Sequence, residues 1–105
     1  MPYSLYVIEL SRDVLGESRF AKRNAGCRED KPCVHVGQTA LSPEKRFEQH
    51  KAGRKSNRYA HKYGLRLRPK LVRNRGPFET RAEAEKAEGA LAKRLRRRGY
   101  AVWSN

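Results

Sequence analysis

Carboxylates are scarce in this 105-residue chain: 11 acidic residues stand against 25 lysines and arginines, for a formal net charge of +14. That balance argues against cationic partners and surrounds the folded protein with a field that draws in polyanions. Nucleic acid is the expected partner, although an anionic membrane surface or a ribosome would respond to the same charge. Long apolar runs are also missing, so no segment is expected to cross a bilayer. The first residues lack the basic-then-apolar order of an export signal. We therefore expect an intracellular, cytoplasmic protein with no membrane attachment. Cysteine is nearly absent, and a reducing cytoplasm would leave Cys27 and Cys33 as thiols, so no obligatory disulfide is expected. With His35 they match no zinc-ligand spacing, and no fourth ligand stands at a recognisable distance, which argues against structural zinc.

A chain of this length closes one modest core, so residues 1–105 are read as a single domain with one active surface. Tyr3 to Leu10 has the aromatic and β-branched content of a central strand buried on both faces. Ser11 to Pro32 is polar, basic and reads as a long connection. Val34-His35-Val36 resumes a strand that stops at Gly37 and can pair antiparallel with the first. Ser42 and Pro43 are a helix start, and Gly53 an end. A second short helix is expected from about Asn57 to Tyr63, closed by Gly64 in the C-terminal capping position. Leu65, Leu67 and Leu71 alternate with basic residues, as in a half-buried edge strand near Pro69. Thr80 and Glu83 have capping-box spacing and open a helix that runs to Gly99. Tyr100 to Trp103 has the pattern of a final short strand. The expected fold class is therefore α/β (α+β): a small mixed or antiparallel three-stranded sheet flanked by helices, in the order β-β-α-α-β-α.

Ala84, Ala87, Leu91 and Leu95 form the apolar stripe of the last helix, and Glu88 falls on that stripe. A carboxylate facing a core needs a cation, a hydrogen-bond network or a metal ion. A salt bridge to an arginine meets that need as well as a metal does. Arg46 and His50 lie one helical turn apart on another helix, with Phe47 as an anchor beside them. Arginine can hold a phosphate through two hydrogen bonds, and imidazole exchanges protons near neutrality. The same spacing is common on solvated helix faces, so context has to decide between these readings.

That context is the ordered set Leu5-Tyr6-Val7, His35-Val36-Gly37, the segment from Gly37-Gln38-Thr39 through Arg46 to His50, and Thr80 to Ala84 with Glu88. Together these resemble the GIY-YIG nuclease family from Tyr3 to about Leu95. The resemblance implies that Tyr6 is the tyrosine of the first motif, Arg46 the helix arginine, His50 the histidine after it, and Glu88 the glutamate that holds a divalent cation. His35 departs from the pattern, standing where the family has the tyrosine of its second motif. The implied activity is a metal-dependent endonuclease that hydrolyses phosphodiesters of nucleic acid, DNA in preference to RNA, with Mg2+ or Mn2+ on Glu88. The attacking water would be activated by His35, Tyr6 or His50, while Arg46 offsets charge at phosphorus. Lys51, Arg54, Lys55 and Arg58 are the expected contacts to the nucleic-acid backbone, with a second basic patch at Arg94, Arg96, Arg97 and Arg98. Tyr59, His61 and Tyr63 are read as packing residues of the short helix, and nothing in its spacing ties Asn105 to the site. So small a surface leaves specificity to DNA shape or to a partner protein. The alternatives are a catalytically inactive basic nucleic-acid-binding module, for which the change at His35 would be the mark, and a ribosome-associated structural protein.

Overall fold

A computed structural model describes residues 2–104, so Asn105 lies outside the described residues. Strand β1 (Ser4–Leu10) pairs antiparallel with β2 (Cys33–Thr39), in a register that sets Tyr6 opposite Gly37 and Ile8 opposite His35. Strand β3 (Gly64–Leu67) joins the other side of β1, antiparallel, and β4 (Ala101–Ser104) runs parallel to β2. The result is an α+β domain on a mixed four-stranded sheet of order β3-β1-β2-β4. The sheet thus has one strand more than expected. The Tyr100 to Trp103 segment finds the open edge of β2, where the long last helix returns the chain.

β1 alternates between two cores, which is why it reads as apolar on both faces. Leu5 and Val7 join Val34, Val36 and Val102 against helix α4 (Arg81–Arg97), which contributes Leu91, Ala92 and Leu95. Tyr6, Ile8 and Leu10 face the opposite way, with Phe20, Cys33, Tyr59 and Ala60. Helices α1 (Ser18–Arg23), α2 (Pro43–Ala52) and α3 (Arg58–Tyr63) supply the remaining α-helical elements. Burying a side chain such as Leu91 or Leu95 contributes about 1.5–3 kcal/mol. The α4 stripe therefore clamps one face of the sheet. Its start is fixed by the expected capping box: the Glu83 amide donates to Thr80 Oγ1 at 3.1 Å, and the Thr80 amide donates to Glu83 Oε1 at 3.2 Å. Gly53 ends α2 in the left-handed region, with φ 81.

Two local expectations are corrected. The Ser11 to Pro32 connection holds a 3-10 turn at Arg12–Gly16 and helix α1, both too short to leave a periodic signature. Asn24 then seals this segment onto β4, an edge strand. Its Nδ2 donates to Val102 O at 3.1 Å and to Phe20 O at 2.9 Å, while the Val102 amide donates to its Oδ1 at 2.8 Å. Gly64 takes the expected capping position at the end of α3, its amide donating to the Ala60 carbonyl, and with φ −63 and ψ 128 it is extended and also opens β3. The third strand is shorter than its leucine alternation suggests: Leu65 is exposed, and Leu71 lies in a 3-10 turn at Pro69–Val72, packed against the α4-side core. Pro69 supplies no amide to a ladder, and the strand ends before it.

Among the described residues, no helix is long and apolar enough to cross a membrane. Cys27 and Cys33 are free thiols, Cys33 buried and Cys27 half-buried.

Candidate active site

The site grows from the pairing of β1 with β2. Tyr6 is buried, and its ring lies directly over its register partner Gly37. A β-carbon at Gly37 would stand 2.8 Å from Tyr6 Cε1 and closer still to Cζ and Oη. Only glycine leaves room for the phenol to cross the neighbouring strand.

The Tyr6 hydroxyl meets His50 Nε2 at 2.8 Å, and the second nitrogen of that imidazole decides the direction of the bond. His50 Nδ1 accepts the Asn57 backbone amide at 3.1 Å, so the neutral ring carries its hydrogen on Nε2 and donates it to Tyr6 Oη. Asn57 is held for this task by capping α3, its Oδ1 accepting the amides of Tyr59 and Ala60 at 2.9 and 3.1 Å. Burial, and after it the charge of Arg46, lowers the His50 pKa to about 4. At neutral pH the ring is an uncharged donor whose other nitrogen is already engaged. The Tyr6 pKa is pushed up to about 12, chiefly by burial; nearby Glu88 also raises it, against the lowering effect of Arg46. Tyr6 is therefore a protonated phenol at neutrality, with its own hydrogen free to point into the cleft.

His35 lies behind these two rings. It is fully buried, its centroid 5.9 Å from that of Tyr6 and 5.2 Å from that of His50. Neither ring nitrogen has a hydrogen-bond partner among the described residues. Burial dominates in lowering its pKa to about 3, with His50 and Arg46 adding to the effect. The imidazole is thus shut away from solvent and held neutral.

In front of Tyr6 opens a polar cleft of about 330 Å³, walled by Gly37, Gln38, Arg46, Glu85 and Glu88. β4 pairs with β2 only as far as Val36, so the Gly37–Gln38 stretch lies beyond the β4 pairing, where the cleft opens. Glu88 enters from the α4 stripe and is only 5% exposed, as its place among apolar neighbours implies. Arg46 is held by two of its own hydrogen bonds, from Nη1 to Gln49 Oε1 at 3.0 Å and from Nη2 to the Lys55 carbonyl at 2.9 Å. Cation, phenol and carboxylate, drawn from α2, β1 and α4, therefore share one cavity. No family model matches the chain, and comparison with curated proteins and with solved structures returns no match.

Among the described residues no three His, Cys, Asp or Glu side chains are grouped to hold a metal ion. A single buried carboxylate beside open space suits Mg2+ or Mn2+, hard ions that keep several waters and take further oxygens from a phosphate. The donor set does not suit zinc.

The basic residues divide. Lys55 and Arg58 line a second hollow next to the cleft. Lys51 instead spends its ammonium on the Gly64 carbonyl at 2.9 Å and the His61 carbonyl at 3.4 Å, tying α2 to the start of β3. Arg54 lines a separate depression with Lys45, Glu48 and Gln49. Arg96 is likewise structural, donating to Val102 O at 2.9 Å. Tyr59 is core, and Tyr63 donates to Glu17 at 2.6 Å. Asn57 and Arg19 were not singled out by sequence reasoning. The helix start at Asn57 was legible but not its amide bond to His50, and Arg19 lies on a helix with no sequence signal.

Proposed function

We propose that the protein is a metal-dependent endonuclease that hydrolyses phosphodiester bonds of nucleic acid, DNA in preference to RNA, with the GIY-YIG-like arrangement that its motifs resemble. The observation that carries this reading is the shared cleft of Tyr6, Arg46 and Glu88, three groups from distant parts of the chain with complementary chemistry. Glu88 would hold the divalent cation, which supplies Lewis acidity toward the phosphate and neutralises part of its charge. Arg46, preset by Gln49 and Lys55, stands ready to offset charge that builds on the phosphoryl oxygens.

Of the three groups that sequence reasoning allowed as the base, Tyr6 has the best placement. His35 is sealed in the core, and His50 has one nitrogen protonated and the other occupied. In the small fraction of molecules whose Tyr6 has given its own proton to solvent, the phenolate, steadied by the His50 Nε2 hydrogen and by Arg46, accepts a proton from water. A new P–O bond forms to that water oxygen as the bond to the leaving sugar oxygen breaks. Replacing a second-motif tyrosine by histidine thus leaves the reacting groups in place, because His35 acts from behind as packing.

The test is incubation of the purified protein with labelled duplex, branched and single-stranded DNA, in Mg2+, in Mn2+ or in chelator, beside Glu88→Gln. Cleavage that needs the cation and falls on the order of 10³-fold in the variant, with binding retained, supports the proposal. Binding without cleavage of any substrate would favour the inactive nucleic-acid-binding module.

A further inference from the structure

The cleft continues into a neighbouring hollow of about 360 Å³, and Arg46 lines both. The cations along it are Arg19 from α1, Arg46 from α2, Lys55 from the loop that follows, and Arg58 from α3; among the described residues that line it there is no carboxylate side chain. The contrast with another hollow on the molecule is plain: there Arg12, Lys31 and Arg68 are balanced by Glu9, Glu29 and Asp30. Around Arg46 the balance is missing. Arg19 and Lys55 are exposed and take part in no ion pair or side-chain hydrogen bond among the described residues. Arg58 reaches one carboxylate, Glu17 at 3.7 Å, which is already engaged by the Tyr63 hydroxyl and Lys62.

The loop itself is built around Arg46. Lys55 sits in the left-handed region at φ 44, a conformation unfavourable for a residue with a β-carbon, and its carbonyl is fixed by the Arg46 guanidinium. Trp103, half-buried at the wall of the hollow, already has partners: Phe20 stacks on it at 17°, the Arg23 guanidinium lies 4.5 Å from its centroid, and Tyr59 meets it edge-on at 4.8 Å. A hollow rich in cations whose aromatic ring is so engaged favours phosphate over nucleobase.

We infer that this hollow is a backbone subsite: a phosphodiester adjacent to the one cut lies against Arg19, Lys55 and Arg58, with Arg46 standing between the two phosphates. This rests on the nuclease reading for what happens in the cleft, but the subsite itself requires only binding. It also gives the segment between β1 and β2 a task, since α1 supplies the far wall. Recognition here is of charge, so it adds affinity equally for all sequences.

The experiment is fluorescence anisotropy with labelled duplex DNA in chelator, where no cleavage occurs, over a series of salt concentrations. The double variant Arg19→Ala/Lys55→Ala is set beside a charge-matched control, Arg73→Ala/Lys86→Ala, two exposed residues that line neither hollow. The groove variant should bind at least about tenfold more weakly, and the slope of log K against log salt should fall by about 1.8, two phosphate contacts' worth. The control should keep most of the parental slope. Equal losses in the two variants, or no loss in either, overturn the subsite. If the groove variant behaves as expected while the parent cuts no DNA with Mg2+ or Mn2+, the subsite stands and the nuclease reading falls.

Discussion

The Tyr6 hydroxyl and the His50 imidazole share a hydrogen bond of 2.8 Å across 44 positions of chain, and the Asn57 amide behind the ring dictates that histidine is the donor. The phenol is thereby aimed without being charged. In the proposed reaction histidine is a fixed dipole that orients its neighbour, and tyrosine handles the proton.

Tyr6→Phe should keep the fold, because the ring still packs over Gly37, but lose the hydroxyl proposed to take a proton from water. Cleavage is expected to fall roughly 10²- to 10⁴-fold, the usual range for a general base, with DNA affinity little changed. Single-turnover cleavage beside anisotropy measures both. A variant within a fewfold of the parent would remove Tyr6 from the reaction.

The pH profile separates tyrosine from histidine. With Tyr6 near 12 and His35 and His50 near 3 and 4, neither of the two imidazoles beside Tyr6 titrates between pH 6 and 7. The log of the single-turnover rate should therefore climb with pH at a slope near one from about 6 to 9 and show no bend around 6.5. A plateau above an apparent pKa near 6.5 would assign the base to an imidazole.

His35→Leu tests whether the buried imidazole does more than fill space. Both His35 and His50 have folded pKa values below the unfolded value of 6.5, so the unfolded chain binds more protons as pH falls. Stability is complete above pH 6.5 and declines as pH drops toward 3 to 4, each histidine contributing a slope of up to about 1.4 kcal/mol per pH unit. Removing His35 should make urea midpoints less acid-sensitive by about one proton. At neutral pH the variant should be no less stable, since two ring nitrogens without partners leave the core. Retained cleavage is expected; its disappearance in a folded variant would return His35 to the mechanism.

Gly37→Ala should be costly beyond its size. The added methyl collides with the Tyr6 ring, so either the strands part or the phenol swings off His50. A loss of about 1–3 kcal/mol by denaturant unfolding is expected from overpacking, with cleavage reduced more than binding. Parental stability and rate together would show that the ring can move at no cost.

Much of the site was legible because its residues break local rules. Glu88 stands on an apolar stripe, and Thr80 with Glu83 announces the helix that carries it, so placement at a buried wall followed from periodicity. The Tyr6 to Gly37 crossing was half visible: the two strands could be paired from their patterns, but register depends on turn geometry that a long insertion hides. α1 escaped because six residues span fewer than two turns and carry no period. The surroundings of Lys51 and Arg54 were hidden for another reason. Charge near an active helix is readable in sequence, whereas the carbonyls and neighbours that occupy a cation are set only by tertiary packing.

Asn24 completes the outer margin of the sheet in a way that reaches beyond stability. Its amide group takes both polar groups of Val102, so β4 offers a visiting chain fewer hydrogen-bonding positions to copy. A protein this basic, crowded along one polyanion, would bring many copies side by side. Were copies to gather on a nucleic acid as proposed, this seam closed by a side chain would keep their sheets from zipping into one another.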